Sequence, residues 1–388
     1  MKNASPKELA ALRKRAQRLQ LKDRAQLKGA VRRVMRQNRI VGLSLVLCYP
    51  DGRDETLCFG SARLSPNVPV QPYTCFRTAS VSKLVMTYGA LALVEDGLLA
   101  LDEDISELLC YRVRSPYAPD TPVTLRMLLT HTSGLCDEGN YGTLGMQPGT
   151  TLHQLLEHDK NWLPHAPGTF FHYSNFGAGV AGVLMEKATD LPLDIIMQRY
   201  VFTPLSIRAS YDPRAIHPAD HLANGYGVRF ILPPQLKYDA AALAARPPEA
   251  FDPERDYLCA AGRMITDSYG MSRLVRLLAS KGEDAGYGVL APQTLDLMRA
   301  PQSGKGGIGD CNRGLNVAYL PGVFPGHDAL GHQGVAYGMC TELFADPESN
   351  CGVGVMTSGT RLVKAAPLMR AGFDLLALGF SALNLHGD

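Results

Sequence analysis

The sequence predicts an α/β protein of the α+β type, with strands near both ends of the chain and helices between them. Apolar and β-branched runs bounded by turn residues occur at 40–60 and again at 313–357, a pattern typical of strands. The region between them has the apolar spacing and capping residues of helices. With 388 residues, the chain is long enough for two domains, or for one domain with an inserted lobe.

The first 39 residues are strongly basic. They contain 13 lysines and arginines against Glu8 and Asp23, although the whole chain has a net charge of only +2. Apolar residues at helical spacing within 6–20, and a second set after Asp23, predict two basic amphipathic helices or one kinked helix. We favour a solvated helical face over a nucleic-acid-binding or membrane-binding arm, so nucleic acid is not an expected partner.

The next segment predicts a β-hairpin. The run from Ile40 to Tyr49 is almost entirely apolar, as expected for a buried strand, and Pro50-Asp51-Gly52 supplies a turn before a partner strand over 55–59.

Ser80 and Lys83 stand three residues apart at the start of the next predicted helix. At that spacing both lie on one face, one turn apart, so the ammonium of Lys83 can reach the hydroxyl of Ser80. A serine attacks only when a neighbouring base takes its proton, and a lysine serves if burial lowers its pKa. A capping serine beside a solvent-facing lysine has the same pattern, so the interpretation depends on motifs further along the chain.

A histidine follows the next short helix. Thr124 is the predicted cap of a helix through Leu129, which leads into His131-Thr132-Ser133-Gly134. A catalytic triad at His131 is one interpretation, but we favour a structural turn with a hydrogen-bonded imidazole.

Tyr173 and Asn175 form a second short motif. Pro167-Gly168 predicts a turn ahead of them, and a glycine-studded helix over 176–186 follows. On its own, this stretch also fits a buried turn with a tyrosine in the core.

The C-terminal third returns to strands. Residues 213–256 predict a long surface excursion, after which Asp267 caps an amphipathic helix over 269–278. Gly331-His332-Gln333-Gly334 predicts a glycine-rich approach to an edge strand, where a substrate can come close to the main chain. The remaining predicted elements are strands over 314–320, 339–345 and 351–357 and a closing helix over 364–378.

Composition indicates a soluble, cytoplasmic protein without a cofactor or a metal ion. No apolar run approaches the roughly 20 residues that span a bilayer, and the N-terminus lacks the apolar run of a secretory signal. Nine scattered cysteines without a C-x-x-C pair favour free thiols. The five histidines between 131 and 172 form no H-E-x-x-H motif.

In chain order, Ser80-x-x-Lys83, Tyr173-x-Asn175 and His332-x-Gly334 resemble the motifs of a family of serine hydrolases. The family comprises class C β-lactamases, penicillin-binding DD-peptidases, D-aminopeptidases and esterases on the same scaffold. The resemblance covers about residues 24–380 and implies a β-lactamase/transpeptidase-like fold. That fold is an antiparallel sheet flanked by helices with an inserted, mostly helical lobe, and the site lies in the cleft between them.

The resemblance also implies a domain organisation. A basic N-terminal helical extension covers 1–23, an α/β sheet domain covers 24–77 plus 258–388, and the helical lobe over 78–257 carries Ser80 and Tyr173.

By the same resemblance, Ser80 attacks a carbonyl and Lys83 and Tyr173 move its proton. The backbone N–H groups of Ser80 and Val335 form the oxyanion hole. From the residues themselves, a Lys83 ammonium would lower the pKa of Tyr173 and make it a base, and which of the two carries the proton stays open. The residues expected to contact the substrate are Asn175, His332, Gly334 and Val335.

His332 replaces the lysine of a K-T-G motif, so strong β-lactamase activity is not expected, and no arginine is identified that could substitute for that lysine. The expected function is a serine hydrolase that acts through an acyl-enzyme on a small ester, amide or short peptide. The alternatives are an acyltransferase on the same scaffold and a catalytically inactive binding protein. The sequence does not determine the acyl group, the leaving group or the oligomeric state.

Overall fold

The computed structural model describes residues 5–145, 147, 149–229, 232–248, 250–281, 286–309, 311 and 313–385. In chain order the helices are α1 (Pro6–Arg18), α2 (Leu27–Asn38), α3 (Val81–Glu95), α4 (Ile105–Leu109), α5 (Leu125–Leu129), α6 (Tyr141–Leu144), α7 (Leu152–Leu156), α8 (Asn175–Thr189), α9 (Leu193–Met197), α10 (Ala240–Ala244), α11 (Cys259–Gly262), α12 (Ser268–Ala279), α13 (Pro292–Arg299) and α14 (Arg370–Leu383). Short 3-10 segments lie at Arg24–Gln26, Asp159–Asn161, Pro213–Ala215 and Ala219–His221, and a π-helical turn lies at Gln198–Phe202.

The strands are β1 (Gly42–Cys48), β2 (Asp54–Leu64), β3 (Asn67–Pro69), β4 (Phe76–Arg77), β5 (Ala209–Ser210), β6 (Gly225–Gly227), β7 (Gln235–Tyr238), β8 (Ile265–Thr266), β9 (Ala318–Phe324), β10 (His327–Ala336), β11 (Met339–Asp346), β12 (Cys351–Thr357), β13 (Gly359–Thr360), β14 (Lys364–Ala365) and β15 (Leu368–Met369).

The main sheet has seven antiparallel strands in the order β3-β2-β1-β12-β11-β10-β9. Strands from the two ends of the chain pair at its centre, where Leu45 of β1 lies opposite Val355 of β12. The predicted antiparallel sheet with flanking helices is therefore confirmed. Smaller sheets are formed by β13-β6-β7, β14-β15 and β4-β8-β5.

Helices cover both faces of this sheet. Leu43, Leu45 and Leu47 of β1 belong to the apolar core that includes residues of α1, α2 and α14. Val46 points to the other side, into the core that includes α3, α8 and α12. Because both faces are covered, β1 is buried over its whole length and, apart from Ser44, carries no polar side chain on either face.

Helix α3 lies between the sheet and the helical part of the chain. Its residues 81–93 are all buried, and it packs against β10 on one side and α8 on the other. A helix that is apolar around its circumference must be covered on all sides. This packing brings the N-terminus of α3 to β10 and the N-terminus of α8.

Capping residues set several helix starts where the sequence predicts them. Thr124 and Asp267 each accept a hydrogen bond from a backbone N–H in the first turn of the helix that follows. Asp23 instead caps the 3-10 segment Arg24–Gln26, and α2 begins after that segment at Leu27. These contacts satisfy donors that a helix start leaves without an intrahelical partner.

The C-terminal elements differ in part from their predictions. The strand predicted over 314–320 begins only at Ala318, because residues 314–317 form a turn in which Asn316 has a φ of 53°. The closing helix begins at Arg370 and not near 364, because β14 and β15 pair across a turn that contains Pro367. The excursion over 213–256 includes the short elements β6, β7 and α10.

The predicted position of the His332 motif is also corrected. The motif lies inside β10 and not ahead of an edge strand. Strand β9 pairs with β10 only as far as Gly331, so the last residues of β10 have β11 on one side and an open outer edge on the other.

Among the helices of the described ranges, none is both long enough and apolar enough to cross a membrane.

Candidate active site

Ser80 stands at the N-terminus of α3, directly after Ala79, whose φ is 49°. A left-handed conformation is uncommon for alanine, and such strain is concentrated at functional sites. Ser80 is partly exposed, whereas the helix that follows is buried. Its side chain makes no capping bond to the helix, so the hydroxyl faces its side-chain neighbours.

Lys83 is fully buried one turn further along α3. Its Nζ lies 3.1 Å from Ser80 Oγ and 2.7 Å from Asn175 Oδ1, and it also contacts the carbonyl oxygen of Ala261. Burial lowers the pKa of Lys83 to about 7; the charge of Asp137 opposes this shift and that of Arg77 adds to it. Near neutral pH, a large fraction of Lys83 is therefore a neutral amine.

Asp137 fixes the amide of Asn175. The Nδ2 of Asn175 donates to Asp137 Oδ2 at 2.6 Å, so its Oδ1 is the atom turned to Lys83. The same carboxylate accepts from the backbone N–H of Asn175 and Phe176 and from the hydroxyl of Ser174. Asp137 thus holds the start of α8 as well as the side chain that faces the lysine.

Tyr173 completes the group around Ser80. Its ring centroid lies 5.2 Å from Lys83 Nζ, and the nearby side chain of Ser80 acts to lower the pKa of its hydroxyl. Burial raises the pKa of Tyr173 above its ordinary value, and the contact with Ser80 and the charge of Arg313 only partly offset this. The sequence analysis expects Lys83 to lower the pKa of Tyr173, but the surroundings of Tyr173 raise it. The phenol is therefore neutral at pH 7.

Gly334 lets β10 pass directly against the start of α3. A Cβ at this position would lie 2.1 Å from the carbonyl oxygen of Thr78 and 2.8 Å from the backbone nitrogen of Ser80. Neither is a flexible side-chain end, so any larger residue would push the strand away. This contact explains the glycine of the third motif.

The N–H of Val335 points to the same place. Ala336 and Met339 flank a two-residue turn in which Tyr337 and Gly338 have φ of 52° and 85°, as in a type I′ hairpin whose flanking residues are hydrogen-bonded to each other. Hydrogen-bonded and non-hydrogen-bonded residue pairs alternate along an antiparallel ladder. Val335, one residue before the hydrogen-bonded Ala336, therefore directs its N–H away from β11, to the open edge beside Ser80. The two proposed oxyanion donors therefore lie on the same side of the cleft.

His332 lies behind this edge as a neutral imidazole. Its Nδ1 lies 2.7 Å from the carbonyl oxygen of Gln333, so Nδ1 carries the hydrogen. Burial, together with the charges of Lys83 and Arg313, lowers the pKa of His332 well below its ordinary value. His332 thus occupies the position of the K-T-G lysine without its charge.

His131 has the structural place that the sequence analysis favours. Its Nδ1 accepts a hydrogen bond from the backbone N–H of Ser174 at 3.2 Å, and its ring centroid lies 4.4 Å from that of Tyr173. Burial lowers the pKa of His131 well below its ordinary value. It forms one wall of the Tyr173 site and holds the backbone ahead of α8.

Two charged neighbours of the site are missed by sequence reasoning. Asp137 stands two residues after His131-Thr132-Ser133-Gly134-Leu135, and that proximity is the signal that could have suggested it. Arg313 belongs to no motif; it is 2% exposed, and its guanidinium lies 5.1 Å from the ring centroid of Phe171. Burial lowers the pKa of Arg313 to about 10, so it remains charged at neutral pH.

Known proteins are similar to this chain in sequence and in fold. The family model named Beta-lactamase matches residues 27–375. Esterase EstB from Burkholderia gladioli is 30% identical over 305 residues, which cover 73% of this chain and 75% of the esterase.

Among solved structures, a hydrolase with promiscuous acyltransferase activity, EstCE1, has a TM-score of 0.69 and 25% identity and covers 94% of this chain and 99% of its own. The D-amino acid amidase from Ochrobactrum anthropi, at 22% identity and a TM-score of 0.63, shares the fold over 86% of this chain and 92% of its own. With a family model that matches most of its length, this chain belongs to the Beta-lactamase family and is a serine hydrolase.

Proposed function

We propose that the chain is a carboxylesterase or amidase. Ser80 takes the acyl group of a small-molecule substrate and forms an acyl-enzyme. The observation that carries this proposal is the geometry of Lys83. Two of its partners, the oxygens of Asn175 and Ala261, can only accept hydrogen bonds. A neutral Lys83 gives them its two N–H groups and turns its lone pair to the hydroxyl of Ser80, as a base requires.

In the acylation step, Ser80 Oγ attacks the substrate carbonyl carbon while its proton passes to Nζ of Lys83. The negative oxygen that forms is held by the N–H groups of Ser80 and Val335. When the bond to the leaving group breaks, the Lys83 ammonium returns a proton to the leaving atom through the hydroxyl of Tyr173. Lys83 is then neutral again, and the acyl group is an ester of Ser80.

In deacylation, water takes the place of the leaving group and the proton transfers run in the opposite order. Water gives a proton to the Tyr173 and Lys83 pair as it attacks the ester carbonyl, and Ser80 recovers that proton when it leaves. The raised pKa of Tyr173 supports a relay by the neutral phenol in both directions, with Lys83 as the resting base.

An uncharged ester fits this site better than a β-lactam or a D-alanyl peptide. Those substrates carry a carboxylate beside the scissile bond. The neutral His332 gives that carboxylate no cation, and the charged Arg313 is only 2% exposed. The similarity to esterase EstB supports the same substrate class.

A fluorophosphonate probe tests the nucleophile. We expect one label per chain in the wild type and none in Ser80→Ala, with mass spectrometry of the intact protein as the measurement. A label that persists in Ser80→Ala would remove the serine from the mechanism.

Relative turnover tests the substrate class. We expect kcat/KM for p-nitrophenyl acetate or butyrate to exceed that for a cephalosporin or a D-alanyl dipeptide. The opposite order would overturn the assignment as an esterase.

Acyl transfer is a second candidate function, favoured by the similarity to the promiscuous acyltransferase EstCE1. An alcohol or amine would then replace water in the second step. Product analysis of a p-nitrophenyl ester reaction with an added alcohol separates the two: a hydrolase forms the free acid, and an acyltransferase forms mainly the new ester.

A further inference from the structure

A basic pocket lies beside the tip of the β10–β11 hairpin. It has a volume of about 390 Å³, and its lining contains three cationic residues, Arg229, Lys237 and Arg361, and no carboxylate. Arg229 and Lys237 are exposed, and within the described ranges no acidic side chain forms an ion pair with either of them. A concave surface lined by one sign of charge concentrates the opposite charge.

Tyr337 connects this pocket to the site around Ser80. It lines the pocket and stands two residues after Val335, in the hairpin turn, so the two Cα atoms are at most about 7 Å apart. Its ring also lies 4.8 Å from the guanidinium of Arg77, which precedes Ser80 by three residues and influences the pKa of Lys83. Tyr337 therefore contacts both the pocket and Arg77, which lies just ahead of Ser80 in the chain.

The direction of β10 determines which end of a substrate faces the pocket. The leaving group must lie near Tyr173, because Tyr173 gives it a proton. The ring of Tyr173 lies 6.0 Å from that of His332, which is the first residue of the His332-x-Gly334 motif. In the proposed acylation step, the carbonyl oxygen of the substrate accepts from the N–H of Val335. The acyl chain, on the other side of the carbonyl, therefore extends past Val335 to Tyr337 and the basic pocket.

We propose that this pocket binds an anionic group, such as a carboxylate, at the far end of the substrate's acyl chain. The preferred substrates would then be monoesters or monoamides of dicarboxylic acids, or acyl groups with an equivalent terminal anion. This inference rests on the proposed function and adds the class of acyl group to it. It is compatible with the neutral His332, because this anion lies remote from the scissile bond.

Two esters of equal chain length test the proposal. p-Nitrophenyl hydrogen adipate carries a terminal carboxylate about 6 Å from the reacting carbonyl, and p-nitrophenyl hexanoate carries none. We expect kcat/KM for the adipate ester to exceed that for the hexanoate ester by about tenfold at low salt. In 0.5 M NaCl this preference should shrink, because exposed charges are screened.

Surface variants locate the effect. Arg229→Gln combined with Lys237→Gln should reduce the preference for adipate by about fivefold, mainly through KM, and leave hexanoate turnover within about twofold. Arg36→Gln is the matched control, because Arg36 lines a different basic pocket, which Arg32 and Phe59 also line. This variant should retain the preference.

Equal kcat/KM for the two esters, or a preference for adipate that the double variant leaves intact, would overturn the proposal. Failure of the proposed function would look different: neither ester would be cleaved and the fluorophosphonate would not label Ser80. An intact hexanoate activity without discrimination therefore rejects the anion pocket alone.

Discussion

At the scale of single residues, the charge of Lys83 decides how the site can work. Its side chain has no access to water, and its contacts with Asn175 and Ala261 suit a neutral amine as well as an ammonium. Burial penalises the charged form and lowers the pKa to about 7. The same burial raises the pKa of Tyr173, so we propose Lys83 as the base and Tyr173 as the relay.

Removing the two groups tests whether they act as one unit. Lys83→Met and Tyr173→Phe should each lower kcat for p-nitrophenyl butyrate by about a hundredfold or more. The double variant should be little worse than the poorer single variant, because residues in one proton path are non-additive. Losses that multiply in the double variant would argue for independent contributions, and a fully active Tyr173→Phe would exclude the tyrosine.

The charge state of His332 gives a second prediction at this scale. Its pKa is lowered well below the ordinary value, so it stays neutral between about pH 5.5 and 7.5. The ratio of kcat/KM for a D-alanyl dipeptide, whose carboxylate lies beside the scissile bond, to that for p-nitrophenyl butyrate should therefore be flat across this range. A ratio that rises as pH falls through about 6.5 would indicate a protonated His332.

At the scale of elements, the start of α8 is held by Asp137, a residue outside the helix. Its carboxylate accepts from the Asn175 amide and from the first N–H groups of the helix, where a negative charge is also favoured by the helix dipole. The helix start and the orientation of Asn175 are therefore set by one side chain.

Asp137→Asn should change both the rate and its pH dependence. We expect kcat to fall by about tenfold, because an amide cannot accept from all of these donors. Since the charge of Asp137 raises the pKa of Lys83, its loss should move the rising limb of kcat/KM against pH below the wild-type midpoint of about 7.

Glu138→Gln is the matched control for this variant. Glu138 pairs with His172 and not with Asn175, so the substitution should leave kcat within about twofold. An unshifted pH profile in Asp137→Asn would mean that Asp137 only caps α8 and does not influence the pKa of Lys83.

At the scale of the whole molecule, the basic N-terminal helix α1 packs against α14, the last helix of the chain. Leu12 and Ala16 of α1 are buried in the core that contains α14. Arg15 makes two hydrogen bonds to the carboxylate of Asp374, whose side chain is only 1% exposed. Part of the positive charge of this segment therefore stabilises the packing of α1 against α14.

Arg15→Ala should lower the free energy of unfolding by about 1–3 kcal/mol. It leaves the buried Asp374 without its cation, although the exposed part of Arg15 weakens the pair through solvent. Urea unfolding followed by circular dichroism measures the change. Arg18→Ala on the exposed side of the same helix should stay within about 0.5 kcal/mol, and an equal loss in both variants would mean that the ion pair contributes nothing specific.

The sequence by itself determined the elements and the motifs of this protein. A nearly unbroken apolar run made β1 recognisable, capping side chains marked the starts of helices at Thr124 and Asp267, and the S-x-x-K spacing predicted the contact of Lys83 with Ser80. These features depend on neighbours within a few residues, and local patterns record such relations directly.

Only the tertiary structure decided the electrostatics of the site and the residues that support it. Asp137 bonds to Asn175 and the charge of Arg313 acts on Tyr173, although each lies far from its partner in the sequence. The pKa values of Lys83, Tyr173 and His332 follow from burial by α3, α8 and β10 together. Desolvation is a property of the packed interior and not of neighbouring residues, so it appears only once these elements are in place.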